Sequence, residues 1–220
     1  MANDYKEKKM NKKELGKQVA SMILGDGCLR IWKGVENAGY NFVQIDSHED
    51  YVKWQYEIVS QICKTSYRRY DEYVDKNNVH HKPSIRIETL SHPFFTTLRN
   101  RLYFCGRKTV SVHDLKNFDE QSACIWYMDD GYLLKSEDKS QRGSVFLCTD
   151  HYNHAEVILL QKVLYEKLNI PFNIRKRGER KDGGQIYRLV ATKENARNFL
   201  EKIYKFSFPS FAYKFSLDEN

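Results

Sequence analysis

Nowhere in these 220 residues does an apolar run approach the roughly 20 residues a membrane helix needs, and mean hydropathy is −0.69. Cysteine is scarce: Cys28, Cys63, Cys105, Cys124 and Cys148 are odd in number, scattered, and contain no C-x-x-C pair. A disulfide scaffold and a structural zinc site are therefore not expected, and a reducing compartment is. His80-His81 and the His151/His154 pair have no cysteine or carboxylate at finger-like spacing and are not read as metal ligands. Residues 1–13 are charged but lack an apolar core, so they fit neither a secretory signal nor a membrane anchor, and they match an Arg-rich, acid-poor transit peptide poorly. They read as a flexible basic lead-in. No low-complexity linker interrupts the chain. Acidic excess is missing too: the net charge of +7 and a pI near 9.0 favour a polyanionic partner through counterion release.

What is present is a globular composition. The chain is 41% hydrophobic and 14% aromatic, too rich for disorder, and its 30% charged residues predict a soluble protein. Two nine-residue segments stand out, VASMILGDG (19–27) and ACIWYMDDG (123–131), which begin 104 positions apart (19 against 123). Each runs an uncharged helical stretch into an Asp-Gly stop, so each delivers a carboxylate, Asp26 or Asp130, to a helix C-terminus. The unpaired carbonyls and the negative end of the dipole make that placement unfavourable unless a cation, most simply a divalent metal, sits against it.

The rest of the chain repeats at a similar interval. Tyr51, Trp54, Ile58 and Ile62 have the spacing of Val157, Leu160, Leu164 and Leu168, while Phe95, Leu98 and Leu102 mirror Ala196, Phe199 and Ile203. Ser91, before Pro93, and Thr192 are expected to cap the latter two helices. Strands are predicted over 29–32, 40–45, 66–73 and 84–88, and again over 132–135, 144–149, 172–177 and 185–191. The fold class is therefore α+β: two pseudo-symmetric αββαββα halves, each with a four-stranded antiparallel sheet. Its expected parts are a lead-in (1–13), a first half (14–102), a connector (103–119), a second half (120–204) and a tail (205–220). Small residues, Ala20, Ser21 and Gly25 on one motif helix and Ala123 with Cys124 on the other, would let those helices pack together and bring Asp26 and Asp130 to one place.

The paired segments resemble the LAGLIDADG motif of homing endonucleases, with Asp26 and Asp130 at its eighth position, and the whole chain resembles the monomeric, two-motif type. The resemblance implies a DNA-binding saddle packed through the motif helices. It also implies one active site per strand around Asp26 and Asp130, with the carbonyls of Gly25 and Asp129 as further metal ligands. Lys108 and Lys214, 106 positions apart, match the lysines that follow each half in the family, and Gln44, eighteen after Asp26, matches a polar water-organising residue whose counterpart here is Cys148. Two facing carboxylates call for a divalent ion, and hard oxygen ligands select Mg2+, with Mn2+ as a substitute.

Such a saddle would present alternating strand residues to the major groove. Candidates for DNA contact are Arg30, Arg69, Ser84, Arg86, Lys135, Asn173, Arg175, Arg177 and Arg188. Because the halves differ throughout, a long non-palindromic double-stranded target read by a monomer is expected. The function that follows is a site-specific double-stranded DNA endonuclease of intron-homing type, acting inside a bacterial or phage-infected cell or an organelle. The alternatives are an RNA maturase whose partner is intron RNA and a non-cleaving DNA-binding regulator. No separate protein-splicing domain is expected, since the halves account for the chain.

Overall fold

The computed structural model describes residues 9–134, 143–180 and 183–216. The first motif lies on α1 (Lys12–Leu24), whose N-terminus is fixed by a capping box: Asn11 Oδ1 accepts from the Lys13 and Glu14 amides at 3.0 Å, and Glu14 Oε2 accepts from the Asn11 amide. There follow β1 (Cys28–Arg30), β2 (Gly39–Ile45), α2 (Glu49–Ser60), β3 (Thr65–Tyr70), a small hairpin of β4 (Tyr73–Val74) and β5 (His80–His81), then β6 (Ser84–Thr89) and α3 (Pro93–Leu102). The segment expected as a connector is itself structured, with a second small hairpin of β7 (Tyr103–Phe104) and β8 (Arg107–Lys108), then the short helix α4 (Val112–Leu115).

The second motif lies on α5 (Glu120–Asp130), capped by Asp119, whose Oδ1 accepts from the Ser122 amide at 3.0 Å. After it come β9 (Gly131–Leu134), β10 (Ser144–Cys148), α6 (His154–Leu168), β11 (Asn173–Glu179), β12 (Gln185–Ala191) and α7 (Glu194–Tyr204). The two sheets have the same topology, β1-β2-β6-β3 and β9-β10-β12-β11, antiparallel throughout. This is the αββαββα arrangement twice over. Among the described residues no helix is long and apolar enough to cross a membrane.

The helices α1 and α5 pack against each other at the centre. Residues 122–128 of α5 are buried on every side, as its uncharged interior demands. Polar contacts set the register across the pair: Ser21 Oγ lies 2.8 Å from Ser122 Oγ, Gln18 donates to Gln121 at 2.8 Å, and Lys17 pairs with Asp119. The expected apolar stripes of α2, α3, α6 and α7 are buried against the sheets, Ile62 alone remaining half-buried. The caps differ from expectation. His92, not Ser91, caps α3, its Nδ1 accepting from the Phe94 amide at 3.2 Å, and Lys193, at φ +52, stands at the cap of α7 instead of Thr192. The expected tail folds back as a 3-10 turn (Pro209–Lys214) that lies on α2, with Phe208, Phe211 and Phe215 buried.

Residues paired across strands share a face of the sheet. In the first sheet Leu29, Tyr40, Phe42, Ile85 and Ile87 face the helices, and so must their register partners Gln44, Tyr67 and Arg69. The opposite, helix-free face carries Cys28, Arg30, Val43, Ser84, Arg86 and, from β3, Arg68. In the second sheet the helix-free face carries Tyr132, Phe146, Cys148, Asn173, Arg175 and Arg188.

Candidate active site and nucleic-acid face

The packing of α1 on α5 brings the two Asp-Gly stops together. The Asp26 amide donates to Asp129 Oδ2 at 3.1 Å, tying the end of one motif to the side chain of the other. Gly25 permits this approach, since a Cβ there would lie 2.3 Å from Asp129 Oδ2. Two lysines enter from outside the motifs. Lys108 Nζ donates to the Gly25 carbonyl at 2.5 Å, and Lys214 Nζ donates to the carbonyls of Met128 at 2.5 Å and Gly131 at 2.8 Å. Each lysine thus satisfies helix C-terminal carbonyls that have no partner within the helix.

Burial dominates the electrostatics and works against every charge present. It raises the pKa of Asp26 despite the opposing fields of Lys108, Lys214 and His151, and it pushes Asp130 up to about 7, helped by the Asp26 charge. Asp129 is raised well above the usual carboxylate range by burial and then by Asp26. The same burial lowers Lys108 and Lys214, although the carboxylates oppose it. Three carboxyl groups face two lysines.

The residues present suit a divalent ion. Asp26 remains solvent-accessible, and Asp129 Oδ1 is a buried oxygen with no partner. Among the described residues no three Asp, Glu, His or Cys side chains converge to enclose a metal by themselves. A hard divalent ion can be held by one or two carboxylates, with water and substrate phosphate completing its shell. The carbonyl of Gly25, expected as a ligand, is the acceptor of Lys108 and has one lone pair left; Lys214 takes the carbonyls of Met128 and Gly131, which bracket Asp129 and Asp130.

Behind Asp129 lies a cluster of buried polar side chains that sequence reasoning did not find. Tyr40 donates to Gln55 Oε1, and the Tyr51 hydroxyl faces Asp129 and Gln55; all three residues are fully buried. These side chains project from β2 and α2 of the first half, and nothing in their spacing marks them, because the same positions satisfy an ordinary apolar stripe.

Two expected residues are on the wrong face. Gln44 pairs with Ile85 and so turns toward the helices, its Oε1 accepting from the Ile45 amide at 3.0 Å. The eighteen-residue spacing misleads because the two halves differ by one residue between their first two strands: Leu133 stands 104 after Leu29, but its partner Val145 stands 105 after Tyr40. Cys148, opposite Arg188, therefore corresponds to Val43, opposite Arg86. A slip of one residue exchanges the faces of a strand. Arg69 is likewise on the helix side, held by Glu49 of α2, which also accepts from Tyr67 at 3.1 Å.

The arginine that reaches the helix-free face is Arg68. It stands directly opposite Arg86, whose guanidinium lies 5.4 Å from the centre of the Tyr70 ring. The second sheet repeats the pair, Arg175 opposite Arg188. Like charges directly across a sheet are unfavourable unless an anion lies over them. Arg30, Ser84, Arg86, Asn173, Arg175 and Arg188 are all on the expected face, with Arg188 additionally held by Asp150 and Tyr132. Arg177 is the unpaired residue of a β-bulge, and Lys135 lies outside the described residues.

Duplicated carboxylates thus stand at the junction of two arginine-bearing sheets. A model of the LAGLIDADG DNA endonuclease family matches residues 19–199, and the chain belongs to that family. It is similar to the solved homing endonuclease I-WcaI bound to its DNA recognition sequence, with a TM-score of 0.77 and 19% identity over 94% of this chain and 88% of that one. It is also similar to I-DmoI in complex with DNA and Ca, with a TM-score of 0.53 and 13% identity over 93% of this chain and 98% of that one. Among curated sequences it is 23% identical over 205 residues to Protein RecA of Mycobacterium gastri and 25% identical over 208 residues to that of Mycolicibacterium flavescens. Those matches cover 89% of this chain and 45% of each relative, so the chain spans about half the length of the curated relatives it matches.

Proposed function

We propose that the protein hydrolyses one phosphodiester on each strand of a long, asymmetric double-stranded DNA site, working as a single chain whose halves span residues 14–102 and 120–204. The observation that carries this reading is the meeting of Asp26, Asp130, Lys108 and Lys214 at the junction of two sheets that each bear a facing arginine pair. The similarity to I-DmoI in complex with DNA and Ca supports a divalent ion as a companion of the DNA. Intron homing is the role such an enzyme would serve, and its substrate places it inside a cell or organelle.

Asp26 and Asp130 would hold Mg2+, or Mn2+ in its place, and the bound ion would supply a polarised water and shield the leaving 3′-oxygen. The chain's own residues account for the rest. The arginine pairs, Arg30, Ser84 and Asn173 bind and orient the duplex. Lys108 and Lys214, half-buried in the site, keep positive charge beside the reacting phosphate and offset the charge that builds on its oxygens. Attack by water leaves no covalent enzyme intermediate.

The test is a randomised duplex library incubated with Mg2+, and with Ca2+ for binding alone, after which bound and cut molecules are sequenced. A single long asymmetric site, cut only with Mg2+ and lost in Asp26→Asn and Asp130→Asn variants that still bind, is the expected result. Specific binding without cutting would instead make the protein a regulator, and indifference to DNA would point to structured intron RNA.

A further inference from the structure

Both lysines of the site sit on segments that follow one half in sequence but are gripped by the other. After the first half, β8 carries Arg107 next to Lys108. Arg107 makes a bidentate pair with Glu156, at 2.7 and 3.2 Å, and donates to the His151 carbonyl at 3.1 Å. Glu156 lies in the first turn of α6, in the second half, and its side chain is only 10% exposed. After the second half, the 3-10 turn carries Ser210 four residues before Lys214. Ser210 Oγ donates to Asp50 Oδ1 at 2.5 Å and its amide donates to Asp50 Oδ2 at 3.2 Å. Asp50 lies in the first turn of α2, in the first half.

The two helices are equivalents in the repeat, so one arrangement occurs twice with different chemistry: an ion pair on one side, a double hydrogen bond on the other. Each grip places its lysine on the motif of the half it follows, Lys108 on Gly25 and Lys214 on Met128 and Gly131. Aromatic contacts stiffen the second grip, with Phe211 stacked on His48 at 3.9 Å and edge-on to Tyr51 at 5.3 Å. A long lysine side chain loses much rotamer freedom when fixed, so a rigid backbone support has a direct effect on where its ammonium rests.

We propose that Asp50 and Glu156 are positioning residues, each setting one lysine and, through it, the rate at which one DNA strand is cut. This rests on the endonuclease reading above. Each half thereby holds the lysine of the other half's active site, and the two cleavages stay matched only while the halves are correctly docked.

Two readouts test it. The first needs neither DNA nor metal: acylation of lysine amines with acetic anhydride, read by mass spectrometry. Ser210→Ala and Asp50→Asn are expected to raise labelling of Lys214 several-fold and leave Lys108 unchanged, whereas Arg107→Gln and Glu156→Gln do the reverse. Gln at 156 keeps an acceptor for the Asn153 amide, so α6 retains its cap. The second readout is single-strand cleavage of a duplex with each strand labelled. Each pair of variants is expected to slow one strand, and opposite strands, by between about tenfold and a hundredfold, with target affinity within about twofold. Equal slowing of both strands, unchanged labelling, or selective labelling with unchanged cleavage would overturn the proposal. A wild-type protein that cuts no DNA yet shows the selective labelling would overturn the endonuclease reading while leaving the two grips in place.

Discussion

Gly25 lies flat against the carboxyl of Asp129, and a methyl group added there would stand 2.3 Å from Asp129 Oδ2 and 2.5 Å from its Cβ. The space beside Asp129 admits nothing larger than glycine. Gly25→Ala should therefore push the motif helices apart and destabilise the protein by about 1–3 kcal/mol in urea unfolding. Adding Asp129→Gly, which removes the obstructing atoms, should recover part of that loss. If the double variant shows the full sum of the single effects, the contact is not what constrains position 25.

Tandem Arg68 and Arg69 should behave oppositely. Arg68→Ala removes a charge from the face it shares with Arg86 and should weaken DNA binding, lowering the salt slope of log K by about one. Arg69→Ala removes a partner of Glu49 on the helix side and should leave that slope unchanged. Fluorescence anisotropy over a salt series distinguishes them, and equal effects would contradict the strand register.

The pH dependence follows from Asp130. A carboxyl raised to about 7 from an ordinary 3.8 keeps its proton longer in the folded chain than in the unfolded one. Without divalent ions, stability should therefore decline as pH rises through that window, with Asp26 and Asp129 contributing in the same direction. Carboxylate ligands must be ionised, so stabilisation by Mg2+ should grow over the same range. Thermal unfolding from about pH 5 to about pH 8, with EDTA or Mg2+, checks both signs. An Mg2+ effect that is constant with pH would rule the assignment out, and Asp130→Asn should flatten the EDTA slope.

Lys214 contacts backbone carbonyls at the site rather than lying on the outer DNA face. Lys214→Ala should accordingly slow cleavage by about a hundredfold or more while changing target affinity only a few-fold. Quench-flow cleavage beside equilibrium binding measures the two separately, and a loss confined to affinity would make it a phosphate contact.

The repeat was legible because periodicity survives translation along the chain. Asp26 and Asp130 are marked by uncharged helical runs that can only be buried, and the apolar stripes of α2, α3, α6 and α7 by spacings that recur in both halves. Gln44 and Arg69 were misplaced for one reason: strand faces alternate every residue, so a single extra residue between β9 and β10, or two adjacent arginines on β3, cannot be resolved by counting. The buried cluster of Tyr40, Tyr51 and Gln55 was invisible because its members come from separate elements and only the fold brings them together.

Taken alone, the order of residues determined the two-half αββαββα architecture, the carboxylates at its centre and the net positive charge of the chain, since these depend on local periodicity, helix termination and composition. Only the tertiary structure decided which arginines share the helix-free face, that Asp129 braces the Asp26 amide, and that each lysine is gripped from across the junction by Glu156 or Asp50. Those relations join residues 13 to 160 positions apart, and they come into being when strands pair and the halves pack, steps that no local pattern encodes.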